Sequence, residues 1–410
     1  MASAPPRISS LDVLRGLAVL GILVVNIQSF ALVSAARTNP TLQGDLGGAN
    51  WWIWLGTYVM FDGKFISLFA LLFGASITLL VDRRGGRLDV GATAIHLRRM
   101  AILLVLGLLH AHVLWYGDWL VLLAVSGAVA FLYHDLPPRR LLAAGVGVYG
   151  IGSLIWLVIA WWVSRWAPDV AAELTTHLTP SPDAIAWEVT RYRSGWLEQM
   201  AHRVPTALRY ETYYLATRGL WQMTGLMLIG MALLRLGVLT AARSLAFYAI
   251  MAVSGFAAGL PLVVYGVSRS VSSGWAADQY LGVDSQLNYW GGLLMTMGWI
   301  GSVMLLVRLR ARMRPLASIG RLALTNYLLQ TVICTTIFYG HGFGLFARIE
   351  RVGQIAIVLA IWALQLVLSV CWLRRFDQGP VEWVWRCLAY GRLVSIRRPR
   401  FTVTEEESSG

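Results

Sequence analysis

Ten stretches of the chain are apolar over lengths near the ~20 residues a helix needs to cross a bilayer: 11–33, 65–81, 97–116, 119–133, 141–163, 212–234, 243–266, 287–307, 317–339 and 353–373. Within each, apolar residues run continuously and do not alternate, which excludes barrel strands and leaves helices. The pattern predicts an all-α, polytopic integral membrane protein with about ten transmembrane helices in a single transmembrane domain spanning 1–410. Most intervals between stretches are short. The exception, 165–211, carries Glu173, Glu188, Glu198, Arg191, Arg193, Arg203 and Arg209, spaced as one or two helices at the membrane surface. Such a segment either roofs a cavity or serves as a solvated connector. Residues 374–410 form a polar tail that ends in Glu405-Glu406-Glu407.

Composition strengthens the class: 57% of residues are hydrophobic and only 13% charged. Charge supplies the orientation. Arg83, Arg84, Arg87, Arg98 and Arg99 follow the second stretch, Arg139 and Arg140 the fourth, and Arg235 and Arg243 the sixth. Arg308, Arg310, Arg312 and Arg314 precede the ninth, while Arg374, Arg375, Arg386, Arg392, Arg397, Arg398 and Arg400 follow the tenth. All fall on one side, which the positive-inside rule makes cytoplasmic, so both termini are expected there. The net charge of +13 then reads as a topology signal and an attraction to anionic membrane lipids, with no nucleic-acid partner expected. Val33-Ser34-Ala35 looks like a signal-peptidase site, but the length of the run before it, with Asp12 and Asn26, argues for a retained first helix. Cys334, Cys371 and Cys387 form no disulfide framework and have no zinc spacing.

Candidate chemistry comes from polar groups inside apolar stretches, where a bare charge costs roughly 2.5–3.5 kcal/mol on insertion scales. Lys64, the only lysine, sits in Asp62-Gly63-Lys64 within the run from Trp51 to Val81. It either serves the site or snorkels to the headgroups. In the first stretch Asp12, Arg15 and Asn26 share one helical face, and Asp12 and Arg15 are placed to pair. The third ends in Leu109-His110-Ala111-His112-Val113-Leu114-Trp115-Tyr116-Gly117-Asp118, with His110 a candidate general base oriented by Asp118. Lys64, Asn26, His110 and Asp118 are all expected at one outward-opening cavity. Asn326 and Gln330 in the ninth stretch belong inside the bundle, and Arg15, Arg98 and Arg321 make a cluster suited to phosphate. No metal is expected, since His110 and His112 are two apart and no acidic residue has ligand spacing.

Several motifs occur in one order over almost the whole chain. They are Ser10-Leu11-Asp12-Val13-Leu14-Arg15-Gly16 with Asn26, Asp62-Gly63-Lys64, Trp115-Tyr116-Gly117-Asp118, Leu324-Thr325-Asn326-Tyr327-Leu328-Leu329-Gln330 and Gly379-Pro380-Val381-Glu382-Trp383-Val384-Trp385-Arg386. Together they resemble the YeiB-like family of bacterial inner-membrane proteins, a domain of unknown function. More distantly the chain is similar to a superfamily of transmembrane acyltransferases that includes sugar O-acetylating enzymes and the lysosomal heparan acetyltransferase. That resemblance implies acyl-CoA, acetyl-CoA among the candidates, as cytoplasmic donor, a small-molecule or glycan acceptor at the outer face, and a homodimer. The O-acetylating branch has a histidine fourteen residues after the Asp of an Asp-x-x-Arg start. Here that position is Asn26, and no histidine lies between Asn26 and His96. On the enzyme reading Arg15, Arg98 and Arg321 hold the donor phosphates in an inner half lined by Asn326 and Gln330. His110 and Asp118 activate the acceptor, and Lys64 and Asn26 steady the oxyanion or the acceptor. The other reading is a transporter or a lipid- or anion-binding protein, with Lys64 as the anion-binding charge.

Overall fold

The computed structural model describes residues 9–82, 90–276, 279–311 and 313–397. Arg83, Arg84, Arg87, Arg312, Arg398, Arg400 and the Glu405-Glu406-Glu407 end lie outside the described residues. The described chain is helical: α1 (Ser9–Ala31), α2 (Ala49–Met60), α3 (Lys64–Asp82), α4 (Val90–Leu109), α5 (Leu120–Phe131), α6 (Pro138–Trp166), α7 (Pro168–Leu178), α8 (Pro182–Arg193), α9 (Met200–Arg209), α10 (Leu220–Arg235), α11 (Leu245–Ser272), α12 (Ser285–Arg308), α13 (Arg314–Arg321), α14 (Ala323–Phe338), α15 (Arg351–Arg375) and α16 (Pro380–Tyr390). Each of the ten apolar stretches falls on a helix. Among the described residues, seven helical stretches are long and apolar enough to cross a membrane, and α5 and α14 are shorter apolar helices. The protein is a helical membrane protein.

Helix starts follow local chemistry. Proline opens α6, α7, α8 and α16, where its missing N–H costs nothing. Ser181 and Ser244 cap α8 and α11 by accepting from the Ala184 and Phe247 amides. At the centre α10 is buried continuously from Gln222 to Leu234 and packs on α3, α5 and α6, while α1 packs on α3, α13, α14 and α15. An all-round apolar helix belongs in such a position, since no face of it needs water.

Three boundaries differ from the sequence expectation, each for a local reason. The second stretch, 65–81, is α3 as expected, and the apolar residues before it form a separate helix, α2, joined to α3 at Phe61-Asp62-Gly63, where Gly63 takes φ +77°. The third stretch leaves the α-helix at His110, makes one π turn to Leu114 and becomes extended at Trp115. The ninth stretch breaks at Leu322 into α13 and α14. Segment 165–211 contains three helices, α7 to α9, and not one or two.

Glycine sets the closest crossing. A Cβ on Gly16 would overlap the Leu316 carbonyl, and one on Gly320 would overlap the Asp12 carbonyl. The backbones of α1 and α13 therefore touch, and this contact fixes the positions of Arg15 and Arg321, each adjacent in sequence to one of these glycines.

Candidate functional site

The π turn at the end of α4 delivers His110 to a fully buried position. Its Nδ1 lies 2.7 Å from Asp118 Oδ1 and its Nε2 2.9 Å from Thr331 Oγ1 on α14. A carboxylate only accepts, so Nδ1 carries the proton and donates to Asp118, which leaves Nε2 to accept from the threonine hydroxyl. Asp118 is fixed in turn, because its Oδ2 accepts from the Val121 amide in the first turn of α5 at 2.8 Å. Gly107 opposite leaves room for it: a Cβ there would press on Val121 N and Asp118 Oδ2. Trp115 lies edge-on to His110, and Tyr327 packs beside it with ring centroids 5.4 Å apart. Sequence reading brought His110 and Asp118 together and missed Thr331, whose only signal was its place beside Gln330 in a polar half-helix.

A narrow, partly open cleft between α1, α3 and Trp119 is lined by Asn26, Arg37, Gly63, Phe65 and Trp119. Of the four outer candidates, Asn26 alone is among its lining residues. Asn26 faces it, while His110 and Asp118 lie behind Trp119, whose amide meets the Tyr327 hydroxyl at 3.4 Å. Burial of Trp115 and Tyr327 closes the pair off. Lys64 is 0% exposed, so it does not snorkel. Its Nζ donates to Asn288 Oδ1 at 2.6 Å and to the Tyr58 carbonyl at 3.1 Å. Asn288 donates to Asp62 at 3.2 Å, and Arg37 holds the other Asp62 oxygen at 3.0 Å. Lys64, Asn288, Asp62 and Arg37 thus form one hydrogen-bonded chain ending at the cleft. Arg37 and Asn288, from a connecting turn and from α12, had no sequence cue beyond being polar.

Removing the Lys64 ammonium strands the acceptors it serves, Asn288 Oδ1 and the Tyr58 carbonyl, and an unsatisfied buried acceptor costs about 1–3 kcal/mol. Lys64→Met is accordingly expected to melt lower than the unmodified protein. An unchanged or raised Tm by scanning fluorimetry would show that the cost of burying the ammonium outweighs its hydrogen bonds.

At the arginine-rich end Arg15 meets Asp12 at 3.3 Å, the expected pair. Arg321 donates to the Asp377 carbonyl at 2.7 Å and Arg98 to the Ala389 carbonyl at 3.3 Å. These arginines are held on three different partners, two of them in the C-terminal segment. Arg99 adds to that docking, stacking on Trp385 at 4.5 Å while its carbonyl accepts from the indole N–H at 3.0 Å. Asn326 and Gln330 are interior, as expected, and bind helices together: Asn326 donates to Ser369 at 3.0 Å and Gln330 to Gln365 at 2.9 Å, both on α15. Glu382 went unassigned in the sequence reading. Its Oε1 accepts from the Leu324 and Thr325 amides at 2.8 and 3.1 Å, and its Oε2 from the Thr325 hydroxyl. It caps α14 from another helix.

On the 165–211 segment, Glu188 takes the Ser34 amide at 2.8 Å and lies 3.6 Å from His202. Burial lifts its carboxyl to about 7, against the Ser34 hydrogen bonds that favour the charge. Burial, helped by Arg209, drops His202 to about 4. The raised acid contributes stability that is present below its ordinary 4.5 and lost as pH rises through about 7. The depressed histidine contributes stability present above its ordinary 6.5 and lost as pH falls through about 4. The two slopes oppose one another where they overlap. Glu188→Gln removes only the first, so its Tm relative to the unmodified protein is expected to climb between about pH 5 and about pH 8. A difference that stays flat across that range would show Glu188 ionised throughout.

A polytopic helical membrane protein with an interior His-Asp pair and a buried lysine is the class these features define. The family model described as a protein of unknown function (DUF418) matches residues 233–392. The chain is 33% identical over 390 residues to the uncharacterized protein YeiB of Escherichia coli (strain K12), covering 92% of this chain and 95% of that one. It is 27% identical over 417 residues to the uncharacterized protein YxaH of Bacillus subtilis (strain 168), covering 94% of each. The chain belongs to the YeiB-like (DUF418) family.

Proposed function

We infer that the protein is an acyltransferase of the bacterial cytoplasmic membrane, its arginine-rich end and both termini inside, carrying an acyl group from acyl-CoA to a small-molecule or glycan hydroxyl or amine at the outer face. One observation carries the reading: a buried imidazole with Nδ1 oriented by Asp118 and Nε2 turned to a hydroxyl. That arrangement suits proton abstraction from an attacking oxygen. The resemblance of the opening sequence motif to transmembrane acyltransferases suggests the reaction class, by analogy. Arg98 is exposed and Arg15 and Arg321 are partly so. A guanidinium fork matches phosphate oxygens in geometry and charge, so the set suits the phosphates of a CoA donor. Lys64 and Asn26 serve the acceptor side, where a fixed cation favours developing negative charge.

The donor assignment is tested by heat. Acetyl-CoA and longer acyl-CoAs are expected to raise the Tm of the detergent-solubilised protein. The shift should shrink in Arg321→Lys, which keeps the charge and loses the guanidinium fork. Absence of any shift at saturating acyl-CoA removes the donor. The chain from Lys64 through Asn288 and Asp62 to Arg37 favours a second reading, an anion carrier without covalent chemistry. Uptake of an anion into vesicles with no release of CoA would establish it.

A further inference from the structure

Threonines in membrane helices ordinarily return their hydroxyl proton to a carbonyl three or four residues back in the same helix. Thr212, Thr217, Thr296, Thr335 and Thr336 do so. Thr331 differs: its side chain is 1% exposed and its described hydrogen bond goes to His110 Nε2 at 2.9 Å. On the far side of the ring Nδ1 is held by Asp118, and Asp118 by the start of α5. Hydroxyl, imidazole and carboxylate stand in hydrogen-bonded order, the arrangement that activates an oxygen nucleophile: base within reach of the hydroxyl, base oriented by a third group.

The geometry points to Thr331 as a covalent nucleophile that carries the acyl group between donor and acceptor. This rests on the acyl-CoA reading above. Thr331 Oγ1 attacks the thioester carbonyl carbon while its proton passes to His110 Nε2. The C–S bond breaks, and the departing thiolate takes the proton from His110 as CoA thiol. The acyl group is then an ester on Thr331. In the second half an acceptor hydroxyl or amine attacks that ester carbonyl and gives its proton to His110. The C–Oγ bond breaks and Thr331 Oγ1 takes the proton back. No oxidant or reductant enters either half.

Tyr327 lies four residues before Thr331, hence on the same helical face, with its ring beside His110. Its hydroxyl accepts from the Trp119 amide, which leaves the phenolic proton to donate to the oxyanion of each half-reaction. Trp119 is also a wall of the cleft that Asn26 and Arg37 line. The nucleophile therefore sits one layer of side chains behind the cleft, and rearrangement of Trp119 and Tyr327 would connect the two. A carrier ester between two substrates that enter at opposite ends of the bundle removes the need for both to be present at once.

An acyl-enzyme lets CoA exchange with acyl-CoA in the absence of any acceptor, so the acceptor need not be known. Full-length protein in detergent is incubated with acetyl-CoA and isotopically labelled CoA, and label entering acetyl-CoA is followed together with the acetyl group retained on the denatured protein. The expected result is exchange, with one acetyl group on the peptide containing Thr331, resistant to neutral and cleaved by alkaline hydroxylamine as an oxygen ester is. Thr331→Val, which keeps shape and removes the hydroxyl, should abolish the adduct and lower exchange about 10³-fold or more. Thr331→Ser should retain both. An adduct on another residue, or undiminished exchange in Thr331→Val at unchanged Tm, overturns the proposal. CoA release that occurs only when membrane lipid extract is added, without exchange, also overturns it and leaves the acyltransferase reading standing as direct transfer. A protein that neither binds nor turns over acetyl-CoA or longer acyl-CoAs removes both.

Discussion

Replacing His110 with Gln is expected to lower CoA release from acyl-CoA by about 10²–10⁴-fold, the range for loss of a positioned general base, while leaving a folded protein. Gln keeps hydrogen-bonding groups toward Asp118 and Thr331 but cannot take a proton. Asp118→Asn tests the same geometry from the other side. An amide nitrogen opposite Nδ1 favours the tautomer with the proton on Nε2, and that nitrogen then cannot accept from Thr331. A loss approaching about 10⁴-fold is expected, as for the corresponding change in a serine-protease triad. Both variants are compared by turnover and by Tm. Unchanged turnover, or turnover lost only in step with melting, would make the pair a structural hydrogen bond.

The largest effect on stability is expected from Gly320→Ala. Its Cβ would occupy the space of the Asp12 carbonyl oxygen, and backbone has no alternative rotamer by which to yield. Forced overpacking costs about 1–3 kcal/mol and occasionally more. Here the displaced partner also carries Asp12 and Arg15, so the Arg15–Asp12 pair should loosen with it. Gly147→Ala is the control, because nothing lies within 4 Å of the added carbon and a helical Gly→Ala change there is expected to be neutral or to stabilise by up to about 1 kcal/mol. Equal Tm values for the two variants would refute the close crossing.

How much was legible in the sequence follows from what each feature depends on. All ten apolar stretches fell on helices, because length and continuity of apolar residues suffice for that judgement. Asp12 with Arg15 was readable from a spacing of three. His110 with Asp118 was readable as a pair, though for an incomplete reason: two α-helical turns would not bring the side chains into contact, and the π turn at 110–114 does. The break at Leu322 escaped notice because no proline marks it and apolar residues resume directly after it. Thr331, Asn288 and Arg37 were invisible for a different reason. Each gains its role from a partner 221, 224 or 25 residues away, and one sequence carries no record of such pairings. Of the four polar groups expected at one cavity, Asn26 alone lines the cleft described above, because depth in the membrane says nothing of azimuth around the bundle.

The cap that Glu382 places on α14 has a consequence for biosynthesis. α14 bears Asn326, Thr331 and the surface that meets His110, yet its first amides are satisfied by a residue made nearly sixty positions later. Gly379 leaves the space for that approach, since a Cβ there would strike Glu382 and Thr325. The helix can therefore insert early, but its N-terminal turn stays open until almost the whole chain has left the ribosome. The last described helix acts as a closing clasp, so a nascent chain interrupted before Glu382 would hold every apolar stretch and still lack a finished centre.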